Sequence, residues 1–337
     1  MNEVLATGRR TVPRWMATPE SITAALLVVA FGVSAAFVPR FLDAAYLLDR
    51  SSLYMEVGLM ALAMTFVIVA GHIDLSCASI LALVGTSIAT LHVKLGVPLL
   101  PLVFLAPLLG ALLGGINGVI VAQLGLPSLV VTLATMALYR GLAQVLLGDH
   151  SVSLPAWFTG IERVAIAGTL LPVPLVLFLG LAVALGLVLH KTVFGTWVFA
   201  MGTNAEAARY SGVPVAQVTI SVFVMSGVFS AMAAMIMISR LGVARYDHAL
   251  GLELDVITAV VLGGASIFGG RGTVTGSVLA LFLIAVLQTG MGVTNVKAEY
   301  QATASGALLI VAVLMGNCFA RFRKWTASKG EGSCSGS

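Results

Sequence analysis

The sequence predicts an all-α integral membrane protein of about ten transmembrane helices, one of them broken or re-entrant, with both termini cytoplasmic. Three observations carry that expectation. Of 337 residues, 59% are hydrophobic and 9% charged, with a mean hydropathy of +1.05, whereas roughly a quarter of a soluble domain is charged. The apolar residues gather in runs, most of them near the ~20 residues that cross ~30 Å of hydrocarbon. Seven of the 18 basic residues flank the runs, with Arg9, Arg10 and Arg14 before the first and Arg321, Arg323, Lys324 and Lys329 after the last. The positive-inside rule puts both ends in the cytoplasm.

Broken by Pro, Gly, Asn or charge, the runs fall at 22–38, 53–71, 75–93, 97–121 and 128–147, then at 171–189, 217–239, 254–268, 274–291 and 300–318. The 254–268 run is short and glycine-rich, so it reads as a re-entrant or broken helix enclosed by its neighbours. Residues 1–21 form a cytoplasmic N-terminal segment, 22–318 the membrane domain and 319–337 a cytoplasmic tail. The first run, with its basic start and Val33-Ser34-Ala35, also fits a cleavable signal peptide, which would leave nine spans; it is longer than the usual apolar region of ~7–15 residues. Alternation of sides places 190–216 in the cytoplasm and 148–170 outside. Gly110 and Gly114, and Ala231, Ala234 and Met235, offer close helix packing.

No polar stretch is long enough for a soluble fold, so a soluble motor or catalytic unit would be a separate polypeptide. The net charge of +4 reflects membrane orientation and does not point to nucleic acid. Cys77, Cys318 and Cys334 have no metal or disulfide spacing, and the five histidines, His72, His92, His150, His190 and His248, are scattered. Catalysis finds no constellation. Among charges near apolar runs, Asp74 reads as an N-cap at a membrane boundary, Glu56 as one turn inside its span and able to snorkel to the interface, and Arg140 as deep enough to face protein or water. Glu253 and Asp255 open the 254–268 run.

The cytoplasmic loop carries the sharpest local signal, Gly202 to Pro214. Thr203 and Glu206 have capping-box spacing, so a short helix begins there, passes through Ala207 and Ala208, and ends near Tyr210 at Gly212 and Pro214. It is either a docking peg or a connecting helix. The cluster Gly263 to Gly276 lacks the strand, turn and Lys-Ser/Thr of a phosphate loop. Its glycines, Gly263, Gly264, Gly269, Gly270 and Gly272, serve gating or packing, as does the break around Gly71, Asp74 and Ser76. Asn117, Thr132, Thr135 and Gln288 are polar groups that line a path or hydrogen-bond between helices.

Four blocks stand in order: AGHIDLSCAS (Ala70 to Ser79), GGINGVIVAQLGLPSLVVTLATMALYRG (Gly114 to Gly141), GTNAEAARYSGVPV (Gly202 to Val215) and AVVLGGASIFGGRGTVTG (Ala259 to Gly276). Together they resemble the membrane-permease subunits of bacterial ABC importers for ribose, rhamnose, other monosaccharides and the sugar-like signal autoinducer-2. The resemblance implies a multi-pass permease of the bacterial inner membrane, surrounded by lipid and paired with a second permease, identical or homologous. It implies separate ATPase subunits holding ATP and Mg, a periplasmic sugar-binding protein, and no cofactor in this chain. Gly202, Thr203, Asn204, Glu206, Ala207, Ala208 and Gly212 then match an EAA-type coupling loop. One departure stands out: the family's GGIDLSVGS reads here with His72, Cys77 and Ala78. The rivals are a secondary transporter coupled to ions through Glu56, Asp74 or Asp255, and an ATP-independent channel.

Overall fold

The structure is a computed structural model that describes residues 19–38, 41–160, 164–166, 169–297 and 299–310, apart from 302, 305, 308 and 309. In chain order the elements are α1 (Pro19–Phe37), α2 (Ala44–Ser51), α3 (Met55–Val69), α4 (Cys77–Leu95), α5 (Leu99–Leu124) and α6 (Ser128–Leu147). There follow β1 (Val152–Ser153), α7 (Val173–Lys191), α8 (Val193–Thr203), α9 (Ala205–Tyr210), α10 (Val215–Leu241), β2 (Val243–Ala244), α11 (Leu252–Leu262) and α12 (Val274–Val293). Prolines mark several starts. Pro98, Pro127, Pro172 and Pro214 stand immediately before α5, α6, α7 and α10, where the missing N–H costs nothing and the preceding residue is steered out of the helical region.

Among the described residues eight helices are long and apolar enough to cross a membrane, with α2 and α3 joined through a 3-10 turn at Ser52–Tyr54 into one of them. The chain is a multi-pass, mostly helical membrane protein. The run expected at 254–268 is helical only over α11, whose 11 residues rise about 16 Å, half the hydrocarbon thickness. Part of the run at 300–318, residues 1–18 of the N-terminal segment and the whole tail lie outside the described residues. The stretch expected as one cytoplasmic loop holds α8 as well as α9. A two-residue antiparallel ribbon, Val152 opposite Ala244 and Ser153 opposite Val243, ties the segment after α6 to the one after α10. No sequence signal announced it.

α3 is the axis of the bundle, and all fifteen of its residues are buried among α7, α10, α11 and α12. The peripheral helices turn apolar side chains outward instead, such as Val28 on α1, Phe104 on α5, Val145 on α6 and Val183 on α7. Lipid is the natural solvent for those faces. The largest helix pair is α5 with α10, and its seam is built on the absence of side chains. The Gly110 backbone lies on Gly227, and a Cβ there would stand 2.6 Å from the Ala231 Cβ; Gly114 abuts the Phe223 carbonyl. Without a hydrophobic drive between helices in lipid, such backbone approach supplies the packing.

A Gly110→Val permease should melt at a lower temperature in detergent than the parent, by the equivalent of ~1–3 kcal/mol of overpacking. Gly180→Val, where no atom lies within 4 Å of the new Cβ, should melt with the parent.

Candidate functional site

The end of the bundle that carries α9 is assembled from three distant segments. α9 begins at Asn204, whose extended backbone (φ −161°, ψ 103°) frees its side chain to accept from the Ala207 N–H at 2.9 Å. This shifts the expected cap by one residue. Thr203 is the last residue of α8, and its hydroxyl donates to the Phe199 carbonyl at 2.9 Å, so Thr203 and Glu206 form no capping box. The other end is as expected. Gly212, at φ +84°, donates to Arg209 O, and Val213 donates to Ala208 O, each at 3.0 Å, which is the paired bonding of a glycine-terminated helix. Ala208 alone is buried; Glu206, Ala207 and Arg209 are exposed, and Tyr210 is 85% exposed.

The base of this projection is a knot of glycines. Gly202 places its bare Cα against the Val69 carbonyl and the Gly270 N–H, and those two groups are themselves hydrogen-bonded at 2.8 Å. Gly269, at φ +83°, presses on Gly71 and Gly202; a Cβ there would stand 2.6 Å from Gly202 O and 2.8 Å from the Gly71 Cα. A Cβ on Gly270 would meet the Thr203 hydroxyl at 2.6 Å, and one on Gly272 would meet a Val69 methyl at 2.7 Å. The end of α3, the end of α8 and the loop after α11 therefore touch backbone to backbone. Gly263 and Gly264 do something else: the first seats the end of α11 on Gly276 at the start of α12, and the second meets Pro19. There Thr23 of α1 donates to Leu262 O at 2.8 Å.

A second polar centre lies inside the bundle. Asp74, expected as a boundary cap, is fully buried. One carboxylate oxygen accepts from the Ser76 N–H at 2.9 Å and the Ser76 hydroxyl at 2.6 Å, and the other accepts from the Ser226 hydroxyl of α10 at 2.6 Å. Ser76, not Asp74, stands at the N-cap of α4. The network continues outward. Asn117 of α5 donates to Ser76 Oγ at 2.7 Å and accepts from the Tyr139 hydroxyl of α6 at 3.2 Å. Thr132 of α6 donates to Ile73 O at 3.2 Å, and Thr135 donates to Thr132 O at 3.4 Å. Asn117, Thr132 and Thr135 thus bond within and between helices; Gln288 lies on α12 next to Thr289, which meets the Tyr54 hydroxyl at 3.3 Å. His72, the departure from the family pattern, fits between Thr219 (3.4 Å) and the Phe223 ring (centroids 5.7 Å apart).

Sequence reasoning missed Ser226, Tyr139 and Arg240. Arg240, at the far end of α10, holds Glu56 of α3 in an ion pair at 2.8 Å, with Glu56 1% exposed. Glu56 is therefore an interior partner, buried against the end of α10. Arg140 faces protein, as expected, donating to Tyr246 O and His248 O at 2.6 Å each. Among the described residues no group of acids, histidines and cysteines could hold a metal ion.

With this architecture in view, the comparisons with known proteins are decisive. Residues 46–313 match the family described as the permease component of branched-chain amino acid transport systems. The chain belongs to this family. It is 38% identical over 305 residues to the autoinducer 2 import system permease protein LsrD of Salmonella paratyphi A, covering 88% of this chain and 90% of that one. The LsrD of Escherichia coli O9:H4 is 38% identical over 302 residues (88% and 91%), and that of Photorhabdus laumondii 35% over 302 (88% and 90%). No solved structure matches. The chain is thus a permease subunit of an ABC importer, as its four sequence blocks implied, and the α9 projection, glycine knot and Asp74 network all fall within the family's span.

Glu56→Gln should destabilise the permease by ~3 kcal/mol, because it strands the Arg240 guanidinium; a lowered thermal midpoint in detergent checks this, and an unchanged one refutes it. Gly269→Val should leave the protein in the membrane but cut uptake about tenfold or more, since a branched residue cannot hold φ > 0 in that knot without strain of ~1–3 kcal/mol.

Proposed function

We propose that this permease imports a sugar-like solute, of the ribose, rhamnose or autoinducer-2 class, across the bacterial inner membrane. Separate ATPase subunits, which carry the ATP and Mg, dock on α9 from the cytoplasm; a second permease, identical or homologous, completes the pathway; and a periplasmic binding protein delivers the cargo. Both termini are cytoplasmic, and α11 together with a last helix begun at residues 299–301 brings the membrane-entering helices to ten. Likeness to three LsrD proteins supports the autoinducer-2 class in particular.

The observation that carries this reading is the form of α9. Six residues capped at both ends, exposed on every residue but Ala208 and seated on a backbone-to-backbone knot, make a rigid projection suited to a partner's groove. A knot without side chains has little slack, so force on α9 reaches α3 and the loop after α11 directly. Two of the three acids named for an ion-coupled carrier favour this reading instead: Glu56 is committed to Arg240, and Asp74 accepts from two hydroxyls and an amide. Of the four residues proposed for the path, Gln288 is partly exposed, whereas Asn117, Thr132 and Thr135 are buried in helix contacts and line a path only when the helices move.

Glu206→Lys or Gly212→Asp should leave the permease in the membrane while abolishing co-purification with its ATPase and ATP-driven uptake. Unchanged assembly and uptake would defeat the docking assignment. Uptake that persists without ATPases and collapses with the proton or sodium gradient would replace it with ion coupling.

A further inference from the structure

The six residues Gly71–Ser76 join α3 to α4 without a helical ladder, in a part of the protein where unpaired backbone groups are expensive. Each of the following is paired. The His72 N–H donates to Val67 O at 3.0 Å, and the Ile73 N–H to Ser128 Oγ at 3.2 Å. Ile73 O accepts from Thr132 at 3.2 Å, and the Ser76 N–H donates to Asp74 at 2.9 Å. The segment is irregular yet tied along its length, so it can transmit a push that a slack loop would absorb.

Its two ends are in different places. Gly71 belongs to the knot beneath α9, and a Cβ on it would lie 3.6 Å from the Gly202 Cα. Asp74, three residues on, grips Ser226, which stands 11 residues past the start of α10 at Val215, about 16 Å along that helix. Through Ser76 the same end holds Asn117 of α5, and α5 and α10 share the glycine seam. The link from the projecting helix to the interior of the principal helix pair is therefore a handful of residues long.

We propose that Gly71–Ser76 is a strut that carries displacement of α9 to α10 and α5, and that Asp74 is the positioning residue fixing its inner end. This inference rests on α9 being the ATPase dock. A carboxyl group suits the task because its two oxygens accept three donors at once, from Ser76 on one side and Ser226 on the other. Its loss need not unfold the helices. Serine hydroxyls within a helix can turn to the carbonyl four residues back, so Ser226 has a second acceptor in its own helix. Removing the grip then separates motor from pathway while the bundle stands.

The test uses the complete importer, this permease with its ATPase, partner permease and binding protein, in proteoliposomes. ATP hydrolysis and cargo uptake are measured together, with autoinducer-2 and ribose as probes. Asp74→Asn should retain co-purification and binding-protein-stimulated hydrolysis while solute moved per ATP falls about tenfold, the scale of a typical coupling energy. Ser226→Ala, which removes the grip from the α10 side, should lower the same ratio about threefold. Should Asp74→Asn fail to assemble, Ser226→Ala alone decides. An unchanged ratio in Ser226→Ala, or hydrolysis and uptake falling in proportion in an assembled Asp74→Asn, would overturn the strut. Failure of docking would show itself separately, as Glu206→Lys retaining its ATPase.

Discussion

The hydrogen bond from the Gly270 N–H to the Val69 carbonyl, laid across the bare Cα of Gly202, is the contact on which the working end of this permease depends. Three chain segments separated by more than sixty residues each converge there, and they can do so only because glycines allow backbones to meet without side chains between them. Non-helical backbone at such a junction must find its partners within the protein. The knot meets that requirement, and by meeting it makes the base of α9 continuous with the core.

The same economy recurs along the bundle. The α5–α10 seam relies on Gly110, Gly114 and Gly227, and the α11–α12 turn on Gly263 and Gly276. Where glycine is absent, single polar contacts fix the helices: Glu56 to Arg240, Arg140 to the carbonyls after α10, and Asp74 to Ser226. Apolar side chains fill space between helices but give little preference for one register over another in lipid, so the directional contacts select the arrangement.

Much of this was legible in the sequence. Apolar runs located most of the described crossing helices to within a few residues, because hydrocarbon thickness fixes their length, though the span expected from 53 begins at Ala44, and Gly212 with Pro214 located the end of α9. The knot's glycines were visible as unusual, but their meeting was not, since nothing local says that Gly71, Gly202 and Gly269 share a point. Asp74 misled for a related reason. Beside a glycine break an aspartate ordinarily caps a helix in water, and the donors that make its burial tolerable, Ser226 above all, lie far away in the chain. The cap at Asn204 was displaced by α8, whose apolar residues gave no periodicity to separate it from a loop.

The total burial of α3 has a consequence for how this chain is made. Emerging early, with Glu56 near its start, the helix has no face left turned to lipid once the bundle is complete, yet the helices that enclose it begin more than a hundred residues later and Arg240 follows some 180 residues after Glu56. In the interval the acid lacks its cation, and an ionisable group without a partner in an apolar span is costly. Insertion must therefore leave α3 waiting, either held by the insertion machinery or resting loosely in the bilayer, until the second half of the chain arrives to close around it.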